Sequence, residues 1–228
     1  MALVKGTKTS NTNIGASYSA PQWFFTQNHT QDIGNDRMLV AVIAVTSSLA
    51  LTNVKYAGVA MSLGGSWYSA PGSALYAVFY LANPATGSNA LTVDSSNNGT
   101  MALLAQSFTG ADTTIQVLHN DLANTPHSRT ITVSAGSTIM GIGSSLYTFD
   151  TNALTIDGTG VAFGDCDIHG SISTAQFCAY TLSRSGNLSA GTKTVITDSI
   201  ADSFQTTNTR VEIKEKVGVV ARRRIIII

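Results

Sequence analysis

Charge is scarce in this chain of 228 residues, where 11% are Asp, Glu, Lys or Arg against about 25% in a typical globular protein. Glutamate is scarcer still, with Glu212 and Glu215 alone, and a chain without Glu to line exposed helical faces is poorly made for helices. Cysteine occurs twice, at Cys166 and Cys178. Neither belongs to a CxxC pair or to a Cys/His set with zinc spacing, and Cys166 with His169 falls short of four ligands. The two cysteines stay open between a disulfide and small apolar packing. No apolar run approaches the eighteen or more residues of a membrane-crossing helix, and the start, MALVKGTKTSNTN, has no apolar leader segment. Neither a membrane span nor signal-directed export is expected.

What fills the chain instead is Ser, Thr, Asn and Gly, punctuating short apolar runs. Met38 to Val45 is apolar on both alternating faces, so as a strand it must be covered on both sides. Ala74 to Ala82 and Met101 to Thr109 repeat that doubly apolar pattern. Asn83, Pro84 and Gly87 after the one, and Gly110 to Asp112 after the other, are turn chemistry. Weaker strand signals fall at 22–27, 53–56, 59–63, 91–94, 115–118, 130–133, 138–147, 173–182, 193–197 and 204–216. Gly64 and Gly65 should stop the 59–63 run and leave Trp67 and Tyr68 in a loop. About twelve strands at this spacing predict an all-β fold, a two-sheet antiparallel β-sandwich of jelly-roll-like form with extended terminal arms. The predicted division is an N-terminal arm or edge strand over 1–16, the sandwich over 17–216 and a C-terminal assembly tail over 217–228.

Chemistry-bearing constellations are thin. His29, His119, His127 and His169 all fall in predicted turns or loops, and no GxSxG elbow accompanies them. Asp150, Asp157, Asp165 and Asp167 are the densest acidic set but lack calcium-loop spacing, and they read as solvated turns. No catalytic, cofactor-binding or metal-ligating residue is therefore expected, and no cofactor. Trp67 and Tyr68 are candidate glycan contacts if they stand exposed, or the cover of an open end of the sandwich if they do not. The body has no basic patch with interleaved aromatics, so nucleic acid is not an expected partner.

The C-terminus is the least ordinary stretch. From Arg210 onward six basic residues meet two acidic ones, while the preceding part has eleven acidic against seven basic. Arg222, Arg223 and Arg224 are followed by Ile225, Ile226, Ile227 and Ile228, and four isoleucines left in water forgo roughly 6 to 12 kcal/mol of burial. They belong either to a last strand of the chain's own sheet or to an arm docked on a neighbouring subunit.

The order of motifs carries a resemblance. RMLVAV from Arg37, VKYAGVAM from Val54, YAVFYLANPATG from Tyr76 and ALLAQSFTGAD from Ala102 are followed by STIMGIG from Ser137, AYTL from Ala179, GTKTV from Gly191 and VEIK from Val211. Over residues 12–216 this sequence resembles a β-sandwich, jelly-roll-like module of bacteriophage structural proteins and bacterial surface proteins. The resemblance transfers no catalytic residue. It implies a non-enzymatic structural protein of a virion, either a capsid auxiliary or decoration protein or a tail or fibre component. Its partners would be other copies of itself and other virion proteins, with the assembly interface on Arg222 to Ile228. The alternative is a carbohydrate-binding adhesion module that recognises a host-surface glycan.

Overall fold

In the computed structural model the strand Met38–Val45 lies in the middle of a five-stranded sheet, and all eight of its side chains are buried. Met38, Val40, Val42 and Ala44 enter one core, and Leu39, Ala41, Ile43 and Val45 the other. The doubly apolar run predicted a strand covered on both faces, and this is the reason. The structure describes residues 2–15, 17–19, 22–45, 51–69, 74–95, 100–124, 127–145, 155–156, 159–160, 166–172, 175–182, 188–197 and 205–217.

The chain is all-β, its strands pair antiparallel, and no helix occurs among the described residues. Its first half comprises β1 (Val4–Gly15), β2 (Ser17–Ser19), β3 (Gln22–Gln31), β4 (Met38–Val45), β5 (Leu51–Tyr56), β6 (Val59–Ala60), β7 (Ser62–Ser69), β8 (Ala74–Ala82), β9 (Gly87–Ser95) and β10 (Thr100–Thr109). Its second half comprises β11 (Ala111–Asn124), β12 (His127–Val133), β13 (Thr138–Ser145), β14 (Thr155–Ile156), β15 (Thr159–Gly160), β16 (Cys166–Ile172), β17 (Ala175–Leu182), β18 (Gly191–Thr197) and β19 (Gln205–Glu215).

Among the described residues the strands form four sheets, where two were expected. The first half builds the orders β1-β10-β4-β8-β7 and β2-β3-β9-β5-β6, and the second half β11-β19-β13-β17-β16 and β12-β18-β14-β15. The two halves repeat one plan: in each, the last strand made inserts between the first strand and the central one. The sheet containing β4 is the shared layer. One face packs on the β3-β9-β5 sheet through Phe25, Val54, Tyr56, Leu91 and Val93; the other packs on the β13-β19 sheet through Met140, Ile142, Val211 and Ile213. Beyond that, Ile139 is buried on the far face of β13, as are Ile131 and Val133 on β12. Side chains alternate across a strand, so a buried residue on each face marks a sheet covered on both sides.

Among the described residues nineteen strands form where about twelve were foreseen, because several polar segments pair as well. β1 is a twelve-residue edge strand with irregular register between Lys5 and Lys8 and between Asn11 and Ile14. Gly64 and Gly65 do not end a strand. They form an irregularity inside β7, where a Cβ on Gly64 would stand 2.4 Å from Ile115 Cδ1 of β11. The missing side chain lets the two halves approach. Trp67 and Tyr68 accordingly sit on an edge strand and not in a loop.

Candidate functional site

Along β3, Phe25, His29 and Gln31 are buried while Thr26, Asn28 and Thr30 between them are exposed. This two-residue period turns polar side chains inward at the end of the strand, where β1 crosses it. Buried polar atoms need partners, and β1 supplies one for His29. His29 Nδ1 lies 3.0 Å from Thr9 Oγ1, and Asn11 Nδ2 donates to Gln27 Oε1 at 2.8 Å. Asp32, just past β3, accepts hydrogen bonds from the Thr7 backbone N–H, from Thr7 Oγ1 at 2.8 Å and from the Ser107 hydroxyl. Its carboxylate thus joins β1, β3 and β10. Gly6 leaves room for this carboxylate, because a Cβ on it would fall 1.8 Å from Asp32 Oδ2.

The opposite side of His29 is closed by Tyr56, edge-on with ring centroids 6.0 Å apart. The Tyr56 hydroxyl stands 2.8 Å from Gly87 O and 3.2 Å from His29 O, and accepts from Asn89 Nδ2 at 3.3 Å. Burial disfavours the imidazolium and pulls the His29 pKa down to about 4, with the Asp32 charge offsetting part of the shift. Burial works against ionisation of Asp32 too, yet the Ser107 and Thr7 hydrogen bonds outweigh it and hold the carboxyl below its ordinary range. The residue types are those of a hydrolase triad, but the connections are not. The Ser107 hydroxyl bonds directly to Asp32, and His29 Nδ1 bonds to Thr9. A triad requires the base between nucleophile and carboxylate, so this cluster is a clamp on the first strand.

A second clamp fixes the end of β19. The Gly110 N–H donates to Asn35 O at 3.0 Å, the Ala111 N–H to Asp36 O at 3.0 Å, and the Lys216 N–H to Gly110 O at 2.9 Å. Lys216 Nζ pairs with Asp36 Oδ1. Asp36 adopts φ 51° and Gly110 φ 67° to present these groups. Arg37 secures the same turn, donating to Gly34 O at 2.7 Å and Pro84 O at 3.1 Å. The next residue, Val217, is 86% exposed. In the second half, Glu212 is buried on β19 and accepts from the Ser134 N–H at 2.6 Å, with Lys214 Nζ 3.7 Å away.

The structure corrects the placement of the histidines: His29, His119, His127 and His169 all lie in strands, none in a loop. The pattern of exposed Thr26, Asn28 and Thr30 was the sequence signal for His29, hidden because the inward residues are themselves polar. Cys166 lies on β16 and Cys178 on β17, where Cys178 faces His169 in register; the cysteine side chains lie outside the described residues. So do Asp150, Asp157, Asp165, the side chains of Trp67 and Tyr68, and Arg222 to Ile228. Among the described residues no three His, Cys, Asp or Glu gather to hold a metal ion, and no helix is long and apolar enough to cross a membrane.

No known family model matches the chain. No curated protein matches it either. Among solved structures, the crystal structure of the major capsid protein P2 from Bacteriophage PM2 aligns with 93% of this chain and 100% of its own, at 10% identity and a TM-score of 0.26. A likeness that loose decides neither fold nor role.

Proposed function

We propose that the chain is a non-enzymatic structural protein of a bacteriophage virion, either a capsid auxiliary or decoration protein or a tail or fibre component. Its body is a rigid stack of sheets, and its C-terminal segment attaches it to other copies and to other virion proteins. The observation that carries this reading is the clamp at the end of β19. The final strand ends in backbone bonds to Gly110 and a Lys216–Asp36 ion pair, after which Val217 stands in solvent. The repeated sheet orders further support a jelly-roll-like connectivity in each half, since that fold is built from eight strands in two Greek keys.

Deletion of residues 217–228 tests the attachment role. The truncated chain should stay folded with a melting temperature lowered by no more than a few degrees, because about 1 kcal/mol shifts a domain of this size by about 2 to 4 °C. Association with itself or with virion proteins should fall steeply, and Arg222, Arg223 and Arg224 changed to Ser should weaken it in a salt-sensitive way. If the truncated chain melts far lower while each folded molecule still assembles normally, the isoleucines belong to the core and the attachment role is wrong.

A further inference from the structure

Five large apolar side chains are exposed among the described residues: Val4, Ile33, Val59, Leu63 and Val217. Strand register brings them to one end of the stack. Val4 pairs with Thr109, and Ile33 precedes Gly34, whose Cβ would stand 2.6 Å from the Thr109 side chain. Val59 pairs with Tyr56, whose hydroxyl reaches Gly87 across the same end. Val217 follows Lys216, bonded to Gly110. Leu63 pairs with Phe79, near the end of β8 that meets Met38. Within this end lies an open depression lined by Thr30, Gln31, Asp32, Ile33, Thr86 and Gly87. Ile33, 89% exposed, stands on its lip. Gln31 is buried, yet its Oε1 has no hydrogen-bond partner.

Isolated surface apolar residues are ordinary, but several gathered at one end mark a surface made to be covered. We propose that this end is a docking surface for residues 218–228 of a second copy of the chain, a proposal that rests on the C-terminal segment being an attachment arm. Val217, exposed on this same end, is followed by residues 218–228. Fully extended they reach about 36 Å, enough to cross onto a neighbour's end face. They include Ile225 to Ile228, whose chemistry suits Ile33, Val4 and Val59. Two copies meeting by these ends exchange arms reciprocally, which closes the assembly as a dimer.

The test is sedimentation velocity of the full-length chain over a concentration series, comparing Ile33→Glu, the arm variant Ile226→Glu with Ile227→Glu, their combination, and the control Thr132→Glu at an exposed site on β12. Ile33→Glu and the arm variant should each weaken self-association by about tenfold or more. The combination should weaken it by far less than the product of the two, because both remove one contact. The control should change nothing, and all four variants should melt within a few degrees of the parent. If the arm variant weakens association and Ile33→Glu does not, the docking surface is wrong while the attachment arm stands. If neither weakens it, both fall. A parent chain that stays monomeric at every concentration overturns the second copy as occupant.

Discussion

Lowering the pH from 7 to 4 should destabilise this protein through one buried imidazole. His29 has a pKa of about 4 in the folded chain against 6.5 for an ordinary histidine. Between those values the unfolded chain binds a proton that the folded chain does not. The contribution of His29 is therefore fully present above about pH 6.5 and lost progressively down to about pH 4, at about 1.4 kcal/mol per pH unit, or about 3 kcal/mol in all. For a domain of this size that is about 6 to 12 °C in melting temperature. Asp32 acts in a separate window. Its carboxyl is held below the ordinary range, so its contribution is present above the usual carboxylate pKa and disappears only as the pH falls through the lowered folded value. Urea midpoints at half-unit pH steps would measure the slope, with His29→Asn as comparison, since the shorter amide can still meet Thr9 Oγ1. The variant should be less stable than the parent at pH 7 and lose the slope between pH 6.5 and 4. If parent and variant show the same slope there, His29 is not the group that titrates, and the protonation argument for the β1 clamp is wrong.

Other outcomes follow from particular contacts. Gly6→Ala should cost several degrees of melting temperature by forcing Asp32 away from Thr7 and Ser107, and amide hydrogen exchange of β1 should accelerate before that of β4. Leu103→Ala and Leu104→Ala, adjacent on β10 but facing opposite cores, should each cost about 2 to 5 kcal/mol in urea unfolding; a marked asymmetry would mean that one face of the central sheet is not covered. Reducing agent should leave the melting temperature nearly unchanged, whereas a Cys166–Cys178 bridge would make reduction cost about 2 to 4 kcal/mol. A glycan array should give no signal that Trp67→Ala abolishes, and such a signal would replace the assembly reading with adhesion to a host surface.

Strands that are apolar on both faces declared themselves in the sequence. Ala74–Ala82 was bounded to the residue, and Met38–Val45 was placed correctly at the centre of a sheet. Hydrophobic periodicity is the signal in such segments, and nothing competes with it. Strands made of Thr, Asn, Ser and Gln did so less fully: β1 reads only as an arm or an edge strand, and the second part of β3 does not read as a strand at all. β1 and the second part of β3 have almost no apolar contrast, so pairing with a neighbour, not local pattern, makes them strands. The candidate site suffered for the same reason. Buried histidine and glutamine carry no hydrophobic signature, and Asp32 gains its meaning from Thr7 and Ser107, which are far away in the chain. The number of sheets was also illegible, because which strand lies between which others is a property of long-range order that periodicity does not encode.

That order has a consequence during synthesis. The first half is complete once β10 emerges to fill the gap between β1 and β4, but the face formed by Met38, Val40 and Val42 must wait for Val211 and Ile213 of β19. The intervening stretch of roughly 100 residues takes about 5 to 20 s to translate. Throughout that interval a finished sheet stands bare on one side, while β11 and β13 cannot join until the final strand arrives between them. A nascent chain on a crowded message is then free to accept the second half of its neighbour in place of its own, since both offer the same surface. The join between the halves is a single glycine, Gly110, and a hinge that short invites the exchange, because it must turn sharply to deliver its own second half and is relieved when it runs on to a neighbour.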